Sequence, residues 1–485
     1  MPPLPLVEEL TPAPSVIEAL RAFARWPGLM LFDSVRPGID TGRHSFLTAD
    51  PFHLERLQRA DYVGRDSTGN SPTTCGDPLS RLERQLAEFQ TQTVAGLPPF
   101  QGGAAGLLAY DLNQAWERLP APRQDEFELP ALAVGLYDWV LAWDHEQDQA
   151  WIISQGFPER DPLRRGNRAR RRLQQVCDAL AGSTADFACR GQTDARKLDL
   201  QELAPHYAAP CLEGLISNFS QEGYLHAVER AIEYIYAGDI FQVNLSQRLL
   251  WPLDCDPLEL YLRLRERNAA PFGGYFAVDD WAIASASPER FVRIADRQVD
   301  TRPIKGTRRR RAAPEADLFT RDELRESEKD RAENLMIVDL LRNDLSRVCT
   351  PGTVRVPELC RVETYETVQH LVSEVRGRLD PGRSPWDLWR AVFPGGSITG
   401  APKVRSMEII AELEPTARGP YCGSLFYVGF DGQADSSILI RTFIIRRGWV
   451  QCQVGGGIVA QSNPAAEYEE TLVKAEGMLR ALREQ

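Results

Sequence analysis

The chain has 485 residues and a mass of 54.4 kDa, room for two or three domains or one unusually large core. Apolar residues make up 43% and charged residues 26%, which excludes a wholly disordered chain. With 56 Lys and Arg against 68 Asp and Glu, the formal charge of -12 argues against broad electrostatic capture of nucleic acid.

Residues 1–155 form the first region. Short apolar runs at 28–32, 132–143 and 151–154, divided by Pro, Gly and Asp, predict strands of a mainly antiparallel region. Gly102-Gly103-Ala104-Ala105-Gly106 predicts a crowded turn against a sheet. A phosphate loop would need a strand-loop-helix setting and GK[ST], which is absent. Residues 156–215 change character: six arginines lie between Arg164 and Arg172, followed by a stretch poor in order signals from 182 to 195. Without interleaved aromatics or a reader motif, this predicts a solvated helix and linker rather than a nucleic-acid site.

Residues 216–485 are more strongly patterned. Helices are predicted at 223–237, 325–345 and 465–483, and strands at 241–250, 274–278, 281–287, 423–430, 437–445 and 450–460. Strand groups alternating with helices predict one large α+β catalytic region.

Six histidines without HExxH make a zinc site improbable, so a bound metal should be a hard cation held by carboxylates. Asp330 and Glu333 stand three residues apart on one helix face. A second helix carries Glu467, Glu470 and Lys474, with its acidic opening near the helix start. If the two faces converge, magnesium facing an anionic substrate would offset their repulsion. Each acid alone reads better as a solvated surface group; the four together on two faces favour a site.

Gly395-Gly396-Ser397-Ile398-Thr399-Gly400-Ala401-Pro402-Lys403 precedes a helical stretch whose free N–H groups could receive a carboxylate. Gly455-Gly456-Gly457 offers a second close backbone approach, and Arg441 could grip a carboxylate bidentately. A tight turn or a structural arginine is the plainer reading of each. Lys305, between Pro303-Ile304 and Gly306-Thr307, is a candidate nucleophile if desolvation keeps its amine neutral. Glu289 could donate a proton to a departing hydroxyl.

The stretch Ala237-Gly238-Asp239-Ile240-Phe241-Gln242-Val243-Asn244-Leu245-Ser246 comes first in a specific ordered set. It is followed by Ser287-Pro288-Glu289-Arg290-Phe291, Pro303-Ile304-Lys305-Gly306-Thr307, the run from Ala332 to Asp344, residues 395–403 and residues 455–474. Together they resemble the chorismate-utilising enzymes, and within them the aminodeoxychorismate synthase branch. The resemblance is strong from about 220 to 480 and weaker before 200. It implies an α+β fold of two large antiparallel β-sheets packed together with helices outside, the N-terminal region co-folded with the catalytic one.

By the same resemblance, Glu333 and Glu470 contact magnesium directly, with Asp330 and Glu467 around it, and the metal holds a carboxylate of chorismate. Tyr421, Arg441 and the backbone around Gly456 and Gly457 receive the substrate's carboxylates, and Lys474 balances charge. Ser397 and Thr399 line the pocket, and His370 sits near the substrate ring. Asp330 departs from the Glu of many relatives. Asn334 stands where anthranilate synthases often have His.

Lys305 decides the branch, because similar anthranilate synthases usually have alanine there. The implied route is attack of Lys305 on C2 of chorismate while Glu289 assists loss of the C4 hydroxyl, then displacement by ammonia at C4. The product is 4-amino-4-deoxychorismate. Gln242 stands where water-adding relatives tend to place a lysine base, and an amide cannot deprotonate water. No GxCxG segment of the glutamine amidotransferase type occurs, so ammonia is expected from a separate glutaminase subunit or from ammonium. Ser34, in Leu31-Phe32-Asp33-Ser34-Val35-Arg36, matches the region where relatives accommodate tryptophan, with weak or absent feedback control expected. The alternatives are anthranilate synthase component I and a non-catalytic interaction subunit.

Nine cysteines without a CxxC pair suit free thiols in a reducing compartment. The start, Met1-Pro2-Pro3-Leu4-Pro5, has no signal-peptide pattern, and no stretch reaches ~18 apolar residues. A cytoplasmic enzyme with no membrane or nucleic-acid partner is the expectation.

Overall fold

In the strand Leu29–Asp33, Leu29 and Leu31 enter one apolar cluster while Met30 enters another. The strand Trp281–Ser287 divides in the same way, with Trp281 and Ile283 on one side and Ala282, Ala284 and Ala286 on the other. Such strands are covered on both faces, which is why they read as continuous apolar runs. A computed structural model describes residues 5–35, 42–62, 76–89, 91–182, 196–310, 313–364 and 368–483.

Its strands form two large antiparallel sheets. The centre of the larger one runs Leu29–Asp33, Phe272–Val278, Trp281–Ser287, Thr442–Arg446, Trp449–Ile458 and Gln242–Pro252. The smaller runs from Ile304–Arg309 through Val368–Arg378, Gln298–Thr301, Arg290–Ala295, Ala434–Ile438 and Ser424–Gly429 to Gly103–Leu108 and Leu132–Tyr137. Strands from 1–155 pair with strands from 216–485 in both sheets, Leu29–Asp33 with Phe272–Val278 and Gly103–Leu108 with Ser424–Gly429.

The sheets pack face to face. Met30, Phe46, Ile283 and Ile444 of the larger meet Leu107, Val134 and Phe426 of the smaller. Tyr427 stacks on Phe100 with ring centroids 4.5 Å apart. Helices lie outside: Val16–Ala22, Pro257–Arg267 and Pro464–Leu482 cover the larger sheet through Leu20, Tyr261, Leu264, Met478 and Leu482. Glu328–Ser346 and Pro385–Val392 join the inter-sheet cluster through Ile337, Leu341, Leu388 and Trp389.

Three of the joints at which the chain passes from one sheet to the other have three residues or fewer. The run expected as one strand at 132–143 is two, Leu132–Tyr137 in the smaller sheet and Trp139–Asp144 in the larger, with fully buried Asp138 between them. The expected strand at 437–445 likewise divides into Ala434–Ile438 and Thr442–Arg446, with Arg441 at φ 51°. Pro288-Glu289 joins Trp281–Ser287 to Arg290–Ala295 across the same gap. Apolar character runs straight through the first two joints, so the sequence pattern concealed them, whereas the expected strand 281–287 already stops before Pro288-Glu289.

Two further expectations change. Gly103 begins a buried strand rather than a turn; at φ 142°, a Cβ there would lie 2.2 Å from the Val428 carbonyl oxygen. The helix expected from 325 begins at Glu328, because Ser327 caps it by accepting from the Asp330 N–H at 3.3 Å and ends the preceding helix, Pro314–Glu326.

The arginine run lies on the helix Pro162–Ala181, but it is only partly solvated. Arg164, Arg170 and Arg171 are exposed. Arg168 and Arg172 turn inward to the joint, reaching Asp138 at 3.3 and 3.4 Å, and Arg172 also pairs with Asp50 at 2.8 Å. Residues 183–195, most of the expected linker, lie outside the described residues. Among the described residues, Cys177, Cys211, Cys255, Cys349, Cys360, Cys422 and Cys452 are free thiols, and no helix is long and apolar enough to cross a membrane.

Arg172→Leu removes one of the guanidinium partners of a fully buried carboxylate. It is expected to cost about 3 kcal/mol in denaturant unfolding, whereas Arg171→Ala, on the solvent side of the same helix, should stay within about 0.5 kcal/mol.

Candidate active site

The Glu289 and Arg441 joints are stitched together by backbone. The Ile438 N–H donates to the Glu289 carbonyl at 3.1 Å, and the Ala286 N–H to the Arg441 carbonyl at 3.0 Å. Glu289 is therefore held in the floor between the sheets, 5% exposed. Burial pushes its carboxyl up to about 7, against hydrogen bonds from Ser397 and the Ile304 N–H and the pull of Lys305. It can carry a proton near neutrality.

Lys305 comes from the strand Ile304–Arg309 and is half-buried. Its Nζ donates to the Ser397 carbonyl oxygen at 3.2 Å. Burial lowers its pKa, and Lys474 adds to that, while Glu333 and Glu289 oppose it. Ser397 thus bridges the pair: its hydroxyl meets Glu289 and its carbonyl meets Lys305. The short helical turn Gly396–Ile398 carries it, closed by Thr399, whose fully buried hydroxyl donates to the Gly395 carbonyl at 3.0 Å. The Asn244 N–H donates to the Thr399 carbonyl at 2.8 Å and ties this strap to the larger sheet.

His370 follows on the neighbouring strand, Val368–Arg378, buried at 5% exposure. Burial, then the Arg441 guanidinium, lowers its imidazole to about 4, so it is neutral at physiological pH. Arg441 is half-buried and, among the described residues, makes no ion pair with a carboxylate. It is a cation available to an anionic ligand. Tyr421 is buried at the other end of that crossing, with the Arg418 guanidinium 5.7 Å from its ring centroid.

Two helix starts supply the acids. Asn463 caps Pro464–Leu482 by accepting from the Ala466 N–H at 3.1 Å, which sets Glu467 in the first turn. Glu467 is buried and accepts from the Ser462 hydroxyl at 2.6 Å. On the other helix, Glu333 points inward with 14% of its side chain exposed, and burial raises its pKa against the attraction of Lys305 and Lys329. Asp330 is engaged by Arg308 at 3.1 Å. Burial would raise Glu470, but the Lys474 ammonium at 2.7 Å prevails and holds it below the usual carboxylate range. Lys474 also donates to the Gly455 carbonyl at 3.0 Å.

Glycine makes this approach possible. A Cβ on Gly456 would lie 3.2 Å from Glu467 Oε2, 3.6 Å from Lys474 Nζ and 3.7 Å from Glu470 Oε1. A Cβ on Gly457 would lie 2.0 Å from Gln242 Nε2. Gln242 is 1% exposed, and its Oε1 has no hydrogen-bond partner; nor has Asn244 Oδ1 on the same strand. Carboxylate oxygens on two helices and a cradle that a methyl group would fill suit a hard cation that keeps some water. Among the described residues, no three acidic, histidine or cysteine side chains are already gathered around one point. An ion here would rely on water and ligand oxygens for the rest of its shell.

Ser34 stands apart from this group. Its hydroxyl donates to the carbonyls of His44 at 2.7 Å and Pro271 at 3.3 Å, and its N–H to Ser45 Oγ at 3.0 Å. Arg36, in the same segment, lies outside the described residues. Sequence reasoning missed Lys329 and the orphaned oxygen of Asn244. The spacing of Lys329 four residues before Glu333 was the available signal for the first.

A family profile for chorismate binding enzymes matches residues 44–480. The aminodeoxychorismate synthase component 1 of Klebsiella aerogenes is 43% identical over 412 residues, covering 84% of each chain. The anthranilate synthase component 1 of Thermus thermophilus is also 43% identical, over 84% of this chain and 82% of its own. The crystal structure of anthranilate synthase component I from Streptococcus pneumoniae superposes with a TM-score of 0.73 at 29% identity, covering 91% of this chain and 93% of that one.

Glu289 also gives a stability prediction. Its folded pKa of about 7 lies above the ordinary 4.5, so ionising it in the folded protein costs stability as pH rises through that window. Glu289→Gln is expected to stabilise the fold at pH 8 by up to about 3 kcal/mol and to have little effect at pH 4, read from denaturant unfolding at each pH.

Proposed function

We infer that this chain, which belongs to the chorismate binding enzymes, aminates chorismate at C4 to give 4-amino-4-deoxychorismate, the aminodeoxychorismate synthase reaction. Relatives of that name and anthranilate synthases match at similar identity, so overall similarity does not choose between them. The observation that carries the choice is Lys305, an amine directed to the Ser397 carbonyl beside a protonatable Glu289.

In the proposed route the Lys305 lone pair forms a bond to C2 of chorismate. Both ring double bonds shift one position towards C4 and the C4–O bond breaks, and the departing hydroxyl takes the Glu289 proton to leave as water. Ammonia then bonds to C4, both double bonds shift back, and the C2–N bond breaks, returning a neutral lysine. The proton left on the new amine returns to Glu289. The enolpyruvyl group stays attached throughout.

Arg441, Tyr421 and the backbone at Gly456 and Gly457 would bind the carboxylates, with Lys474 balancing charge. Thr399 and Ser397 would orient the ring, and neutral His370 would sit beside it as a hydrogen-bonding group. Gln242 would face the incoming ammonia without acting as a base. Glu333 and Glu470 would hold magnesium directly, with Asp330 and Glu467 reaching it through water. When bound, the ion would offset the charge of a substrate carboxylate against these acids. Ammonia would come from a separate glutamine amidotransferase subunit or from ammonium, in a reducing cytoplasm. The Ser34 segment remains a proposed tryptophan site.

With chorismate, magnesium and ammonium, the wild-type chain is expected to form 4-amino-4-deoxychorismate without anthranilate. Lys305→Ala should lose that product or divert to a 2-amino product; an unchanged product and rate, assayed by chromatography, would contradict the lysine's role. The amination rate should fall as pH rises through about 7, as Glu289 loses its proton. Glu289→Gln should lower kcat by about 100-fold or more.

A further inference from the structure

The acids at the two helix starts need a counter-charge before any ion arrives, and the chain supplies one. Lys329 Nζ stands 4.0 Å from Glu333 Oε1 and 3.8 Å from Glu467 Oε1, between carboxylates of two different helices. Helix stability does not account for a lysine there. It is the second residue of Glu328–Ser346, where a cation opposes the helix dipole. A lysine four residues before a glutamate is also the poorer order for a helical pair. Its side chain is 51% exposed, so the ammonium has solvent to swing into once another cation neutralises these carboxylates.

We propose that Lys329 is a displaceable counter-ion of the acidic pair. It holds Glu333 and Glu467 together in the ion-free protein and is expelled when a divalent cation enters. A divalent ion held by Glu333 would stand beside this ammonium and repel it, so binding the ion includes the cost of releasing the lysine. The affinity for the ion is thereby set below what the carboxylates alone would give. This rests on the magnesium reading of the site.

The test is titration of chelator-stripped full-length protein with manganese(II), free ion being counted by electron paramagnetic resonance. Lys329→Met is expected to bind manganese about tenfold more tightly than wild type, while Lys329→Arg, which keeps the charge, stays near the wild-type value. Without manganese, the Met variant should melt below wild type and the Arg variant should not; saturating manganese should close the gap. Equal or weaker manganese binding by the Met variant, with wild type binding, would overturn the role of Lys329 and leave the magnesium reading standing. No manganese binding by any of the three proteins would overturn both.

Discussion

Two backbone hydrogen bonds, Ile438 to Glu289 and Ala286 to Arg441, hold the centre of the candidate site in place. They lock together two places at which the chain leaves one sheet for the other. A strand that stays in its sheet spends its backbone donors on neighbours and its side chains on a core. At a crossing, one or two residues are released from both duties, yet remain enclosed by sheets on either side. Glu289 is such a residue, and its raised pKa follows from that enclosure. Arg441 is another, and its left-handed backbone is the local cost of turning there.

The rest of the site is arranged around this junction by elements that arrive separately. The strap at Gly396–Ile398 is fastened to the larger sheet through Asn244, and it reaches Glu289 and Lys305 through the two ends of Ser397. Lys403, at the start of the helix Lys403–Leu413, pairs with Asp344 at 2.6 Å and donates to the Val392 carbonyl at 2.8 Å. That pair binds the strap's far end to the same helix that carries Glu333. Movement of the strap and of the acidic helix is therefore coupled through one buried ion pair, which is costly to break on one side only.

Much of the fold was readable because strands covered on both faces carry no charge and few polar residues, as in Trp281–Ser287 and Ser424–Gly429. The same property hid the crossings, since 132–143 and 437–445 keep their apolar character while changing sheets. Asp138 was the one charged residue in the first run, and Arg441 in the second. The inward turn of Arg168 and Arg172 was illegible for another reason. Their partner Asp138 lies on a different element, and a helix sequence alone does not say which of its arginines has a buried acid to meet. The site residues were legible as ordered motifs, but their geometry was not. Helical spacing placed Asp330 and Glu333 on one face; it could not say that Arg308 would occupy the first and leave the second facing inward.

The lysine at 305 gains its meaning from this setting rather than from its own chemistry. An exposed lysine stays protonated near neutrality and has no lone pair to offer. Here burial disfavours the ammonium form, while Glu333 and Glu289 favour it. Glu289 assists only while it is ionised, and a neutral, proton-bearing Glu289 withdraws that support from the ammonium. In the proposed route, the protonation state that would make the glutamate an acid would therefore also help make the lysine a nucleophile. The same enclosure between the sheets would thus prepare both groups for the proposed route, and in bulk water neither shift would arise.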